Sequence, residues 1–265
     1  EITPPTSATP TSAQAIVDPQ SEGPLPLISP LMGEEKEEVP MGRTAEKTKE
    51  LKIDGEKEFS TAREVLTHFN RGVHFSQQRD FARAIQAYEK VIELEPNYVE
   101  AYNNLAIVYQ EMGDWEKARF AYQKSIELNP RYEKAHNNLG ILLCLQERYE
   151  ESIEAFQKAL VINPRNLESY INLGILYKKT AQMDKAVACY QKALHINPLH
   201  PEAHYNIALL HEQLGNWALA IGHYQQFIHL SAENRSDLVS MVKRHLDDLS
   251  RAVREMNRGK GPGNG

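Results

Sequence analysis

Apolar side chains recur at helical spacing through most of the chain. The whole pattern then repeats at a fixed interval along the sequence, so that Val99, for example, stands one interval after Val65. Five segments, beginning at Val65, Val99, Glu133, Leu167 and Pro201, carry mostly apolar, small or aromatic residues at positions 4, 7, 8 and 11. At 100° per residue these positions form one stripe on a helix. A short polar break and a second apolar helical segment follow each of them. Self-similarity at a period of about 34 residues predicts five stacked helix–turn–helix units.

Local signals predict where the repeats begin and end. Thr61 and Glu64 form a T-A-R-E capping box, so we expect ordered structure to begin near Thr61 with a first helix of about fourteen residues. Four repeats end at a proline that stops a helix, namely Pro96, Pro130, Pro164 and Pro198. The last predicted helix, 234–257, breaks the period and carries one apolar stripe, Leu238, Val242, Leu246, Leu249 and Val253. Such a helix would cap the exposed end of the last repeat.

Residues 1–58 have the composition of a disordered spacer. Eight of the fourteen prolines lie in the first forty residues, and a highly charged stretch follows them. One apolar stretch, Leu25–Met32, is a candidate docking motif within this segment. The predicted organisation is a disordered tail at 1–58, repeats within 59–233 (65–98, 99–132, 133–166, 167–200 and 201–233), a capping helix at 234–257 and a disordered end at 258–265.

The repeated residues themselves resemble a known family. The second repeat carries Tyr102, Leu105, Ala106, Tyr109, Ala118, Tyr122 and Pro130. This pattern resembles the tetratricopeptide repeat signature. The resemblance implies an all-α fold, a right-handed helix–turn–helix solenoid with the C-terminal capping helix and the disordered N-terminal tail described above. It also implies protein binding rather than catalysis.

A second stripe on the first helix of each repeat lies about 150° from the core stripe. It holds asparagine at position 6 (Asn70, Asn104, Asn138, Asn172 and Asn206) and aliphatic residues at position 9 (Val73, Ile107, Ile141, Ile175 and Leu209). The resemblance implies that this stripe lines a concave groove, and we expect its side chains to face water in the free protein. An asparagine amide can pair with both the N–H and the C=O of an extended chain, and an aliphatic row can accept that chain's side chains.

The predicted partner is therefore an extended peptide segment of another protein. The asparagine ladder is similar to that of O-linked N-acetylglucosamine transferase, whose catalytic domain has no counterpart here. A purely structural role for these asparagines is the alternative, because asparagine is frequent at this position in the family. The resemblance also covers a variant groove that clamps a C-terminal carboxylate with Lys or Arg at positions 5 and 6. Phe69, Asn103, Asn137, Ile171 and Tyr205 stand at position 5, so this clamp is absent.

Other chemistry finds little support in the sequence. There is no phosphate-binding glycine loop, no nucleophile elbow and no HExxH motif, so we predict no enzyme activity, no cofactor and no small-molecule substrate. Residues 61–265 hold 24 acidic and 24 basic side chains with no basic stripe, which disfavours nucleic acid. Six histidines between His195 and His229 suggest a metal site, but His204 and His211 occupy core aromatic positions. We therefore favour aromatic replacement and predict no metal.

The function that this pattern favours is a protein-interaction scaffold or adaptor. Two alternatives stay open: a substrate-recruiting region of an enzyme whose catalytic domain is elsewhere, and a self-assembling structural protein. Cys144 and Cys189 lie in apolar helical patterns and do not fix the redox compartment. The sequence starts at Glu1, so we expect that a membrane anchor could lie upstream. A bacterial periplasmic location through such an anchor and a cytoplasmic location both fit.

Overall fold

The structure, a computed structural model, describes residues 51–231 and 236–259, and this part of the chain is entirely helical apart from the short connections between helices. The helices are α1 Leu51–Gln77, α2 Phe81–Leu94, α3 Val99–Glu111, α4 Trp115–Leu128, α5 Glu133–Leu145, α6 Tyr149–Ile162, α7 Leu167–Lys179, α8 Met183–Ile196, α9 Pro201–Gln213, α10 Trp217–Leu230 and α11 Ser236–Gly259. The expected disorder of residues 1–50 and 260–265 concerns segments outside the described residues.

The helices follow one another as tandem helix–turn–helix pairs, which confirms the all-α repeat fold. The first helices of the second to fifth repeats begin at Val99, Glu133, Leu167 and Pro201, as the sequence predicts. They are 13 residues long rather than fourteen, whereas the second helices have 14 residues. Each of these four repeats therefore consists of a shorter first helix and a longer second one.

The first helix departs from the prediction. α1 begins at Leu51, so Thr61 lies inside the helix and the proposed capping box is wrong. Residues 51–58, which we expected to be disordered, are helical. Residues 51–60 include two Glu, two Lys and one Leu, which favour helix, and the one glycine, Gly55, costs only about 1 kcal/mol there. The helix propensity of the preceding residues therefore extends α1 through the capping-box sequence at Thr61, where a helix would otherwise begin.

In the turn between the two helices of each repeat, one residue has a left-handed backbone conformation, and it stands at the same position in every repeat. These residues are Arg79, Gly113, Glu147, Ala181 and Gly215, with φ between 58° and 80°. The next backbone N–H reaches back to the carbonyl five positions earlier, as in Arg148 N to Leu143 O at 2.9 Å. This is the Schellman arrangement, which satisfies carbonyls at the helix end and reverses the chain. A side chain costs energy at such a φ, yet three of the five turns lack glycine.

The described residues form two compact units, 51–176 and 177–231 with 236–259. In the first unit each second helix buries one aromatic ring completely, Tyr88, Tyr122 or Phe156. The ring of Phe156 lies against the backbone of Gly140, where an added Cβ would be 2.8 Å from the nearest ring carbon. Ser152 Oγ also donates to Gly140 O at 2.7 Å. The two helices of a repeat can approach this closely only because the first has a small residue at this point.

In the second unit, α11 packs its apolar stripe against α10 and provides the expected cap. Val239, Val242 and Leu249 are buried in one cluster with Phe227 and Tyr224 of α10. A polar contact fixes the position of the helix: His245 Nε2 lies 2.9 Å and Tyr224 Oη 2.7 Å from Glu212 Oε2. Burial opposes ionisation of Glu212, but these hydrogen bonds outweigh it, and the pKa of Glu212 lies below its ordinary value.

Three histidines of the second unit pack as aromatic rings. His204 and His211 are buried, and both rings contact His223. The Nδ1 atoms of His204 and His223 are 2.9 Å apart, and His204 Nε2 lies 2.9 Å from Pro198 O. Burial, with repulsion from the two other imidazoles, lowers the pKa of His223 to about 4. Within the described ranges no group of three or more His, Cys, Asp or Glu side chains is arranged to hold a metal ion.

We predict that Gly140→Ala destabilises the protein by about 1–3 kcal/mol, because the new methyl group would overlap the fully buried ring of Phe156. Gly222→Ala is the matched control, since nothing lies within 4 Å of a Cβ on this helical glycine. The control should stabilise by up to about 1 kcal/mol through helix propensity. Urea denaturation measures both. Equal stability of Gly140→Ala and wild type would contradict the close helix contact.

We also predict that the second unit loses stability as pH falls from about 6.5 to about 4. In this pH window His223 is protonated in the unfolded chain but largely neutral in the folded protein, because folding lowers its pKa. Proton binding therefore stabilises the unfolded state relative to the folded state. His223→Gln should flatten this part of the curve of unfolding free energy against pH. His195→Gln, which changes an exposed histidine of α8, is the matched control. Parallel curves for wild type and His223→Gln would show that His223 does not carry the effect.

Candidate functional site

Four consecutive first helices, α1, α3, α5 and α7, carry most of the predicted asparagine and aliphatic stripes. We call these residues the asparagine face: Asn70, Asn104, Asn138, Asn172, Val73, Ile107, Ile141 and Ile175. All eight lie in the first unit. The remaining two predicted residues, Asn206 and Leu209, lie on α9 in the second unit. The prediction thus places eight residues in one compact unit and two in the other.

The asparagine amides on α3 and α5 are joined by hydrogen bonds. Asn138 Nδ2 donates to Asn103 Oδ1 at 2.9 Å, and Asn103 Nδ2 donates to Asn104 Oδ1 at 3.1 Å. On α5, Asn137 Nδ2 approaches Asn138 Oδ1 at 3.4 Å. Position 5 of one repeat therefore connects to position 6 of the next, and the amides run as a chain across the helices.

The same chain continues from α5 to α7. Ser169 Oγ donates to Asn137 Oδ1 at 2.9 Å, and Asn172 Nδ2 lies 3.5 Å from the same oxygen. Sequence reasoning missed Asn103, Asn137 and Ser169 as members of this network. The doublets Asn103–Asn104 and Asn137–Asn138 were the available signal, because two adjacent amides in successive repeats can bridge the gap between neighbouring helices.

The asparagine face is buried apart from Asn70, which is half-buried, and this overturns one expectation. Asn104, Asn138 and Asn172 have no exposed surface, and Ile107 and Ile141 are each 3% exposed. The expectation that these side chains face water is therefore wrong. Neighbouring first helices lie close enough for amides such as those of Asn138 and Asn103 to pair with each other within the protein instead of with solvent.

Two asparagines outside this network retain an unpaired acceptor. Asn70 Oδ1 and Asn206 Oδ1 are buried and have no hydrogen-bond partner. Asn206 Nδ2 donates to Glu202 O of its own helix at 3.0 Å, which turns the amide along the helix. A buried carbonyl without a donor costs about 1–3 kcal/mol, so a ligand N–H at either oxygen would be stabilising.

Charged residues flank the asparagine face at position 2. Glu100, Lys134 and Glu168 are half-buried there, and their charges alternate from helix to helix. Leu145 adds an apolar edge at the end of α5, with 50% of its surface exposed. The face thus combines polar amides, an aliphatic row and charges of both signs, and it contains no arrangement of a nucleophile and a base.

We predict that Asn138→Ala lowers the unfolding free energy by about 1–3 kcal/mol, because it leaves Asn103 Oδ1 buried without its donor. Asn97→Ala, in the exposed loop before α3, is the control and should change stability by less than about 0.5 kcal/mol. Chemical denaturation gives both values. If Asn138→Ala is as stable as the control, the amide chain does not hold the repeats together.

Comparisons with known proteins agree on the family. Models of the tetratricopeptide repeat match residues 99–132, 132–198 and 202–232, and a further repeat model of this kind matches 74–113 and 182–215. A search of curated proteins gave no match. Among the described residues, no helix combines the length and apolar character needed to cross a bilayer.

Solved structures share the fold. MamA has 27% identity and a TM-score of 0.55, over 62% of this chain and 96% of MamA. PilF of Pseudomonas aeruginosa has 20% identity and a TM-score of 0.61, over 76% of this chain and 95% of PilF. YrrB, described as a TPR protein with an unusual peptide-binding site, has 19% identity and a TM-score of 0.53, over 71% of this chain and 97% of YrrB.

The matched models run together from residue 74 to residue 232, and they cover the helices α2 to α10. The chain is therefore a member of the tetratricopeptide repeat family, whose stacked helix pairs serve as protein-interaction scaffolds.

Proposed function

We propose that this scaffold binds an extended segment of a partner protein along the asparagine face of the first unit. The observation that carries the proposal is the regular recurrence of one amide and one aliphatic side chain on four consecutive first helices. A surface that presents the same two chemical groups at regular intervals fits a ligand whose own groups recur at regular intervals. In a peptide the groups that recur in this way are the backbone N–H and C=O.

The spacing of such a face fits an extended chain. Packed helices are about 8–10 Å apart. An extended strand advances about 3.3 Å per residue, so about three residues cover one repeat. Each asparagine amide would then meet the peptide backbone once per repeat, while every third side chain would lie near the aliphatic row. Asn70 supports this arrangement, since its buried Oδ1 accepts no hydrogen bond in the free protein.

Access to the face is the remaining requirement. Because its side chains are buried, a partner reaches them only when the face opens. The partially exposed charges Glu100, Lys134 and Glu168 would make the first contacts and would select the charge pattern of the partner segment. No catalytic step is part of this proposal.

The test is selection of random peptides on the full chain, followed by affinity measurements on variants. Ile141→Ala should weaken the selected peptides about 5- to 30-fold, as expected for the loss of about 1–2 kcal/mol of apolar contact. Lys134→Glu tests the same face without creating a cavity. It should change affinity several-fold and shift selection toward peptides of the opposite charge.

Matched controls lie on the second helix of the same repeat. Val161→Ala and Lys158→Glu change exposed residues of α6, and Val161 is 82% exposed. Both controls should bind the selected peptides like wild type. Peptides that bind all four variants with equal affinity would place the binding site elsewhere. Circular dichroism of Ile141→Ala separates a loss of binding from a loss of fold.

A further inference from the structure

A cavity of about 440 Å³ lies at the surface of the first unit, between α4, α5 and α6. Its floor consists of buried or half-buried side chains, namely His136, Leu139, Leu143 and Ala155. Exposed charged side chains form its rim, namely Glu127, Glu151, Glu154 and Lys158. Pockets that bind small ligands have volumes of about 300–1,000 Å³, so this cavity has room for one long side chain together with water.

The cavity is separate from the asparagine face. The α5 residues His136, Leu139 and Leu143 stand at positions 4, 7 and 11 of the third repeat. The asparagine face uses positions 6 and 9, which belong to a stripe about 150° away around the same helix. A ligand in the cavity therefore requires no opening of the asparagine face.

His136 provides a hydrogen-bond acceptor in the wall of the cavity. The residue is 7% exposed, and its Nε2 lies 3.0 Å from Pro130 O. A carbonyl oxygen only accepts, so the hydrogen of the neutral ring is on Nε2 and Nδ1 carries a lone pair. Burial lowers the pKa of His136 below its ordinary value, which keeps the ring neutral at pH 7. Among the described residues no donor pairs with Nδ1.

Three carboxylates surround the cavity, but two of them already have a cation. Lys124 Nζ lies 2.6 Å from Glu127 Oε2. Arg148 donates to both oxygens of Glu151, at 2.7 and 2.6 Å. Within the part of the chain that the structure describes, Glu154 forms neither an ion pair nor a hydrogen bond. The cavity therefore combines one uncompensated carboxylate with one buried lone pair.

This histidine and this carboxylate occur together only in the third repeat. At the position of Glu154 the other repeats carry Gln86, Phe120, Ala188 and Gly222. The first and fifth repeats also have histidine at position 4, His68 and His204, but no carboxylate accompanies it. In the second repeat Lys124 Nζ lies 5.9 Å from the ring centroid of Phe120. Because four repeats form the same helix pair without this combination, the packing of the repeat does not require it.

We propose that this cavity binds the side chain of an arginine in a segment of a partner protein. A guanidinium group has only donors, arranged in a planar fork, and the unpaired groups of the cavity are acceptors. Two of its N–H groups would donate to the carboxylate of Glu154 and a third to His136 Nδ1. Its aliphatic stem would lie on Leu139 and Leu143. A neutral apolar side chain would instead cover Glu154 and His136 and leave both without a partner.

NMR titration of the full chain with N-acetyl-arginine N-methylamide tests the site, because this probe carries the side chain without terminal charges. Backbone amide signals of residues around the cavity, such as Leu139, Leu143 and Glu154, should shift in a saturable manner. The citrulline analogue has nearly the same shape and no charge, so it should bind about tenfold more weakly through the loss of charge-assisted hydrogen bonds. Equal binding of the two probes would overturn the proposal, and so would shifts confined to other parts of the chain or the absence of saturable shifts.

Variants on α6 assign the binding to the cavity. Glu154→Gln changes an exposed residue and keeps its size, so the fold is retained, and the arginine probe should bind about tenfold more weakly. Glu150→Gln changes an exposed carboxylate of the same helix that does not line the cavity, and it is the matched control. Lys158→Gln removes a rim cation that repels the guanidinium and should strengthen binding about twofold.

Two outcomes of these measurements would overturn the assignment. If Glu154→Gln binds the arginine probe as tightly as wild type and Glu150→Gln do, the guanidinium is not held in this cavity. Free arginine is the remaining comparison, because its terminal charges are absent from an arginine within a chain. If free arginine binds at least about tenfold more tightly than the capped probe, the ligand is the amino acid itself and not a side chain of a partner protein.

Discussion

The distance between the two helices of a repeat is the constraint on which the other features of this protein depend. That distance is set where a buried aromatic ring of the second helix rests on a small residue of the first, as Phe156 rests on Gly140 and Tyr88 on Gly72. Neither contact leaves room for a methyl group. An aromatic ring of the second helix contacts a small residue of the first helix at the same point of successive repeats. The first helices of these repeats are therefore in the same register, and residues at equivalent positions form rows. Both the amide chain and the aliphatic row follow from this registration.

The amide chain gives the rows a property that apolar packing alone would lack. Asparagine is satisfied only when donor and acceptor meet at a specific distance and angle, so the link between Asn138 and Asn103 resists sliding of one helix along the next. A face held in this way presents its groups at fixed intervals. The same rigidity limits the face to ligands of matching spacing.

The sequence predicts the repeat fold well because five copies average out local exceptions. Four first-helix starts, at Val99, Glu133, Leu167 and Pro201, agree with the structure. At Thr61 there is no preceding repeat to set the boundary, and the propensity of residues 51–60 decides instead. The burial of Asn104 and Asn138 was not predictable from helical angles on one helix, since it depends on the approach of neighbouring helices.

The contact between Glu212, Tyr224 and His245 determines at which point the array of repeats can be terminated. The residues equivalent to Glu212 in the other repeats are Ser76, Gln110, Cys144 and Lys178, and none of them is an anion. If α11 docked on an earlier repeat while the chain was folding, its apolar stripe would find similar surroundings, but His245 would meet a neutral group or, at Lys178, a cation. Repetitive proteins are prone to such shifted assemblies, since their cores are nearly interchangeable. One carboxylate in the last repeat therefore acts as an end marker that discriminates the complete array from a shortened one.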